Sequence, residues 1–152
     1  MYFSGPPSFM NPPTILWADD DLDDLELFRE AILTRHQNCQ LFTFSNGLEL
    51  LESLRSGNHI ADPLLIILDI NMPRLNGKET LQVLKGESRY AKIPVVLCST
   101  SQNESDQDFC RRLRVPLITK PCTFRQVSEI LQRILSYCQL DGGPTASFNQ
   151  DV

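Results

Sequence analysis

The sequence predicts an α/β domain built on a doubly wound, parallel, five-stranded sheet, a (βα)5 arrangement with strand order 2-1-3-4-5. Three observations predict it. Short apolar runs alternate five times with stretches of helical period, which is the pattern of repeated β-α units. The middle run, Leu64 to Leu68, is unbroken "LLIIL", as suits a strand buried on both faces. Carboxylates, hydroxyls and one lysine collect just after these runs, at the carboxyl edge where open α/β sheets bind ligands. Right-handed crossovers should connect the strands.

The first strand is "TILWA", Thr14 to Ala18. Asp21 can cap the helix that follows, and Asp23, Asp24 and Glu26 suit its positive N-terminal end. Leu25, Phe28 and Ile32 give that helix an apolar stripe. The second strand is "LFTFS", Leu41 to Ser45, and Asn46-Gly47 opens a helix carrying Leu48, Leu51 and Leu54. Gly57 is placed to stop it. The third strand, Leu64 to Leu68, leads to a helix around Gly77–Lys85. "IPVVLCS", Ile93 to Ser99, is the fourth strand, with its proline near the start where the missing N–H costs least. A polar helix over Asn103–Leu113 comes next, then the fifth strand "VPLIT", Val115 to Thr119. The last helix repeats Val127, Ile130, Leu131, Ile134, Leu135 and Cys138 at helical spacing. These elements make residues 14–139 the core domain. Residues 1–13 read as an N-terminal arm and 140–152 as a flexible C-terminal tail.

Composition narrows the function. A chain of 152 residues can bury roughly 68–70% of its unfolded surface, so no metal or disulfide staple is required. The net charge is −5, and no basic cluster marks a nucleic-acid footprint. The five cysteines are odd in number and form no C-x-x-C pair, so they read as free thiols of a reducing compartment. No apolar run approaches the ~18 residues of a membrane span. The first residues lack the basic and apolar regions of a signal peptide. A cytoplasmic protein that binds neither membrane nor nucleic acid is expected.

The chemistry lies at the carboxyl edge. Asp19-Asp20-Asp21 follow the first strand, Asp69, Ile70 and Asn71 the third, Ser99-Thr100-Ser101 the fourth, and Lys120-Pro121 the fifth. The second strand offers only Ser45 and Asn46. Clustered carboxylates oppose one another's ionisation, and a hard divalent cation such as Mg2+ relieves that repulsion. A carboxylate can also act as a nucleophile and form an acyl phosphate. Asp69 would attack phosphorus, while Mg2+, Lys120 and a hydroxyl from Ser99 or Thr100 neutralise the phosphoryl oxygens.

With "ILWADDD", "ILDINMPRLNG", "VVLCSTS" and "LITKP" in this order, the sequence resembles the receiver domain of two-component response regulators over about Thr14 to Cys138. The strand order above is the flavodoxin-like one. The resemblance implies Mg2+ held by Asp20 directly, by Asp19 mainly through water, by Asp69 and by the Asn71 backbone carbonyl. It implies Asp69 as phosphoacceptor, Ser99 as switch hydroxyl with Thr100 beside it, Lys120 as the phosphoryl-binding lysine, and a cis Lys120–Pro121 bond. It also implies a histidine kinase or histidine phosphotransfer protein as donor. The output would be a downstream protein bound on the surface of the fourth helix, fifth strand and fifth helix. A stand-alone receiver is expected, because few residues follow the core, and a homodimer is among the assemblies this allows.

Three departures stand out. Leu117 occupies the position where the family carries a switch aromatic, and a leucine cannot hydrogen-bond or flip between polar and buried states in the same way. Thr100 stands where the family often has Ala or Gly, and could restrict access to the phosphoryl group. Ser101 is neither acid nor amide, so slow loss of the phosphoryl group from Asp69 is expected.

Plainer readings exist for several residues. His36 and His59 read as ordinary surface residues, and the Arg111-Arg112-Leu113-Arg114 run as a solvated helix face or a contact with an acidic partner. Two rival functions are a receiver-like adaptor that is never phosphorylated and a Mg2+-dependent aspartyl phosphohydrolase. The second needs an acid two residues after the nucleophile, where this chain has Asn71. Beyond its own phosphoryl transfer and loss, the protein is not expected to be an enzyme.

Overall fold

The computed structural model describes residues 13–35, 39–57, 63, 65–101 and 103–140, with side chains described as far as residue 134. The elements run β1 (Thr14–Ala18), α1 (Leu22–Arg35), β2 (Gln40–Phe44), α2 (Gly47–Ser56), β3 (Leu65–Asp69), α3 (Gly77–Gly86), β4 (Val95–Ser99), α4 (Glu104–Leu113), β5 (Leu117–Thr119) and α5 (Phe124–Leu140). All strand pairs are parallel, and the order is β2-β1-β3-β4-β5, as the sequence predicts.

Alternation along each strand divides the core in two. Ile15, Trp17, Leu65, Ile67, Val96, Cys98 and Ile118 face α1 and α5, where Phe28 stacks on Trp17 with ring centroids 4.0 Å apart. Leu16, Ala18, Ile66, Leu68, Leu97 and Leu117 face the other way, toward α2, α3 and α4. The three central strands are buried along their whole length. Only a run apolar at every position can serve both layers.

Local chemistry sets the ends of the elements. The Asp23 and Asp24 N–H groups donate to Asp21 Oδ1 at 3.0 and 3.2 Å, so Asp21 caps α1. Asn46 caps α2 by accepting from the Glu49 N–H, and Gly57 ends it at φ 67°, a left-handed conformation natural to glycine. Asn76 and Glu79 form a reciprocal capping box on α3, and Asn103 caps α4. Pro94 and Pro116 lie just before β4 and β5 rather than within them. They lack a donor, but their carbonyls accept from the Ile66 and Leu97 N–H groups at 2.9 and 3.0 Å.

Several expectations change. In α2 the fully buried leucines are Leu50, Leu51 and Leu54, whereas Leu48 is only half buried. The stripe includes Leu50 because α2 packs on α3, β2 and β1, and that tertiary contact selects the buried face. Among the described residues every peptide bond is trans, so the expected cis bond between Lys120 and Pro121 is corrected to trans. Trans is the intrinsically favoured form, by ~0.5–1 kcal/mol. Anchored by its N–H on the Ser99 carbonyl at 2.8 Å, Lys120 reaches the carboxyl edge without the cis form.

Cys39, Cys98 and Cys110 are buried free thiols, and Cys122 is an exposed one. Among the described residues no helix is long and apolar enough to cross a membrane. The expectations for His36, His59, the side chains of Leu135 and Cys138, and most of both terminal segments fall outside the described residues.

Candidate functional site

The site is assembled by adjacency of β1 and β3. These central strands pair with Ala18 opposite Leu68, so Asp19 and Asp69 emerge side by side. The Asp19 N–H is held by the Phe44 carbonyl at 3.0 Å. Asp69 still pairs in register with Cys98, and the Ile70 N–H donates to the Cys98 carbonyl at 2.9 Å. Neither carboxylate can swing freely into solvent: Asp19 is 0% exposed and Asp69 4%. Asp20, next along, is exposed. One carboxylate oxygen from each of Asp19, Asp20 and Asp69 lies within 4.8 Å of the others.

Lys120 enters from β5 and supplies the counter-charge. Its Nζ is 2.8 Å from Asp19 Oδ2, 2.8 Å from Asp24 Oδ2 and 3.5 Å from Asp69 Oδ2. It also donates to Asp19 Oδ1 at 3.1 Å, and Asp19 Oδ1 accepts from the Asp21 N–H at 2.9 Å.

The charges are unevenly compensated. Burial, and then the Asp19 charge, push the Asp69 acid up to about 6, although Lys120 and the Asn71 N–H favour the ionised form. Burial raises Asp19 too, against the pull of Lys120 and the Asp21 N–H. Burial opposes the charge on Lys120, but hydrogen bonds to Asp19 and Asp24 and the charges of Asp19 and Asp69 outweigh it and hold the ammonium above its usual range. One cation thus faces three carboxylates, and both buried ones, Asp19 and Asp69, are held above the usual carboxylate range. An all-oxygen donor set with surplus negative charge suits a hard divalent cation such as Mg2+ or Mn2+.

An open cleft at this edge is lined by Asp20, Asp21, Leu22, Asp23, Asp69, Asn71, Thr100 and Lys120. Asn71 and Thr100 therefore lie where the sequence places them. Ser99 does not present its hydroxyl to this cleft. It is fully buried, donates to the Ser101 carbonyl at 2.5 Å and accepts from the Ser101 N–H at 3.2 Å. Leu117 is fully buried in the layer of α2, α3 and α4, near Leu97, Cys110 and Val115. Pro121 is buried beside Lys120.

Asp24 is the site residue that sequence reasoning missed. Its helix-N-terminal position explained it fully, and no local pattern announces a contact with a lysine at the far end of the chain.

Residues 15–132 match the family model for the response regulator receiver domain. Response regulator Rcp1 of Synechocystis sp. is 31% identical over 132 residues, which cover 84% of this chain and 90% of Rcp1. The crystal structure of the phosphorylated cyanobacterial phytochrome response regulator RcpA is similar with a TM-score of 0.74 at 31% identity, covering 83% of this chain and 93% of that one. The Mn2+-bound form of response regulator Rcp1 gives a TM-score of 0.72 at 28% identity, covering 91% of this chain and 99% of that one.

Proposed function

This chain belongs to the response regulator receiver domain family, whose members are signalling modules, and from that premise we propose that it receives a phosphoryl group on Asp69. The observation that carries the proposal is the placement of Asp69. It ends a central strand, nearly buried, its ionised form under-compensated, with Lys120 3.5 Å away and the cleft open in front of it. A carboxylate held this way has few rotamers to lose on the way to the transition state.

The donor is a phosphohistidine on a kinase or phosphotransfer protein. An Asp69 carboxylate oxygen attacks the phosphorus. The O–P bond forms as the P–N bond breaks, and the imidazole nitrogen leaves with the bonding pair. Asp19, Asp20, Asp69 and the Asn71 carbonyl would hold Mg2+, which offsets charge on the phosphoryl oxygens. Lys120 would add a positive charge and the Thr100 hydroxyl a hydrogen bond to those oxygens, both groups lining the same cleft. Ser99 joins only by rotating away from the Ser101 carbonyl, exchanging one acceptor for a phosphoryl oxygen. That exchange is a local two-state event of the kind that can bias a neighbouring helix, and Ser99 is linked to α4 by four residues. The output surface in this proposal is that of α4, β5 and α5. With Leu117 already buried, the signal passes through the β4–α4 loop rather than through an aromatic rotamer. Thr100 at the cleft, and Ser101 where an acid or amide could orient water, support slow loss of the phosphoryl group. Residues 14–139 form the receiver domain, acting in the cytoplasm.

The test is incubation of wild type and Asp69→Asn with acetyl phosphate and Mg2+. Stable label that requires Asp69 and Mg2+ supports the reading. Turnover of many donor equivalents would make the protein a phosphohydrolase, and absence of label would make it an adaptor.

A further inference from the structure

We propose that Asp24 is a positioning residue that holds Lys120 in a resting place, from which the lysine must be drawn when a phosphoryl group arrives at Asp69. The inference rests on Asp69 being the phosphoryl acceptor. Three distances carry it. Lys120 Nζ lies 2.8 Å from Asp24 and 2.8 Å from Asp19 but 3.5 Å from Asp69. The ammonium is therefore seated toward α1 and away from the acceptor.

Asp24 is well built for this. It sits in the first turn of α1, its N–H tied to Asp21 Oδ1 at 3.2 Å, and the next residue, Leu25, is buried in the core. The backbone that carries the carboxylate is thus fixed. The Asp24 side chain is 29% exposed, against 0% for Asp19, so it holds a charge at lower desolvation cost. Asp24 does not belong to the group of three carboxylates that converge on one another, and so it remains available to the lysine when Asp19 serves a cation. An ammonium has three donors. Those of Lys120 are spread over Asp19, Asp24 and Asp69, and a phosphoryl oxygen must take one of them.

The balance of that exchange sets both capture and retention. With acetyl phosphate, the Asp69 oxygen bonds to phosphorus as the P–O bond to acetate breaks, and acetate leaves with the electron pair. Negative charge on the transferring group is met by Lys120 only to the extent that Asp24 releases it. Asp24 is a brake: removing its charge frees the lysine without touching the acceptor or the three converging carboxylates.

The experiment uses the full chain as wild type, Asp24→Asn, Asp24→Glu and Glu26→Gln. Two quantities are read: the rate of Asp69 labelling by acetyl phosphate with Mg2+, and the affinity for beryllofluoride with Mg2+, which mimics the phosphoryl group without any transfer. Asp24→Asn should raise both by roughly threefold to fivefold, the scale of a part-exposed ion pair. Asp24→Glu keeps the carboxylate and should stay near wild type. Glu26→Gln removes the same charge from an exposed position of the same helix and should change neither quantity. If Asp24→Asn unfolds, Asp24→Ser, a residue well suited to a helix N-terminus, takes its place. Unchanged or reduced values in Asp24→Asn, or in Asp24→Ser where it stands in, would overturn the proposal, and so would an equal gain in Glu26→Gln. Wild type that takes no label on Asp69 would instead overturn the premise of the acceptor.

Discussion

Asp69 is nearly buried, and burial together with the Asp19 charge raises its acid to about 6 from an ordinary value of 3.8. The folded chain therefore keeps this proton at a pH where the unfolded chain has lost it. Ionisation opposes folding, and the cost is absent below 3.8 and complete above about 6. In metal-free protein, Asp69→Asn should raise stability near neutral pH by on the order of 2–3 kcal/mol. The gain should fade as the pH falls toward the ordinary carboxylate value. Urea midpoints across that range measure it, and a pH-independent gain would refute the argument. Lys120→Met should act in the opposite direction. It leaves Asp19 and Asp69 without their cation, at a cost of roughly 3 kcal/mol near neutral pH. Mg2+ should recover more of that loss than it adds to wild type; equal increments would mean that the lysine and the metal do not share these carboxylates.

Among the elements, α3 and α4 stand in different relations to the site. α3 begins directly beneath it. A Cβ built on Gly77 would lie 2.5 Å from the Asp69 carbonyl oxygen and 2.9 Å from the Ile70 Cα. Both are backbone atoms and cannot step aside. Gly77→Ala should therefore cost about 1–3 kcal/mol, as overpacking does, and slow labelling of Asp69 by moving the end of β3. Unchanged stability with unchanged labelling would show that the helix start can shift instead. α4 is held more sparingly. Only Asp106 and Cys110 of its residues are buried. Asp106 is paired with Lys78 of α3 at 2.5 Å, and the Lys78 ammonium also lies 5.3 Å from the Phe109 ring centroid. Lys78→Met should cost roughly 1–2 kcal/mol, between an exposed and a buried pair. It should also speed hydrogen exchange in α4 more than in α5. Uniform exchange across both helices would count against a local anchor.

For the whole molecule, the sheet is the frame and the carboxyl edge is where its electrostatic strain collects. A divalent cation that binds only the folded state should raise the melting temperature in proportion to the logarithm of its concentration, and Asp20→Asn should blunt that response; a melting temperature indifferent to Mg2+ would remove the metal from the reading. The five β-α units are legible in the sequence alone, because apolar runs and helical stripes are local patterns that must match the period of the backbone. The sequence also shows the cap at Asp21, where a short polar side chain meets orphan N–H groups. It also determined that Asp19, Asp20, Asp69, Thr100 and Lys120 share one edge, since every parallel strand must deliver its carboxyl end to the same side. The partners follow from packing in three dimensions. Lys120 leans on Asp24 as well as on Asp19, the Ser99 hydroxyl turns to the Ser101 carbonyl, the Lys120–Pro121 bond is trans, and Leu50 rather than Leu48 reaches the core of α2. These depend on distances between groups far apart in the chain, or on which of several near-equal local choices packing favours. A one-dimensional pattern contains neither.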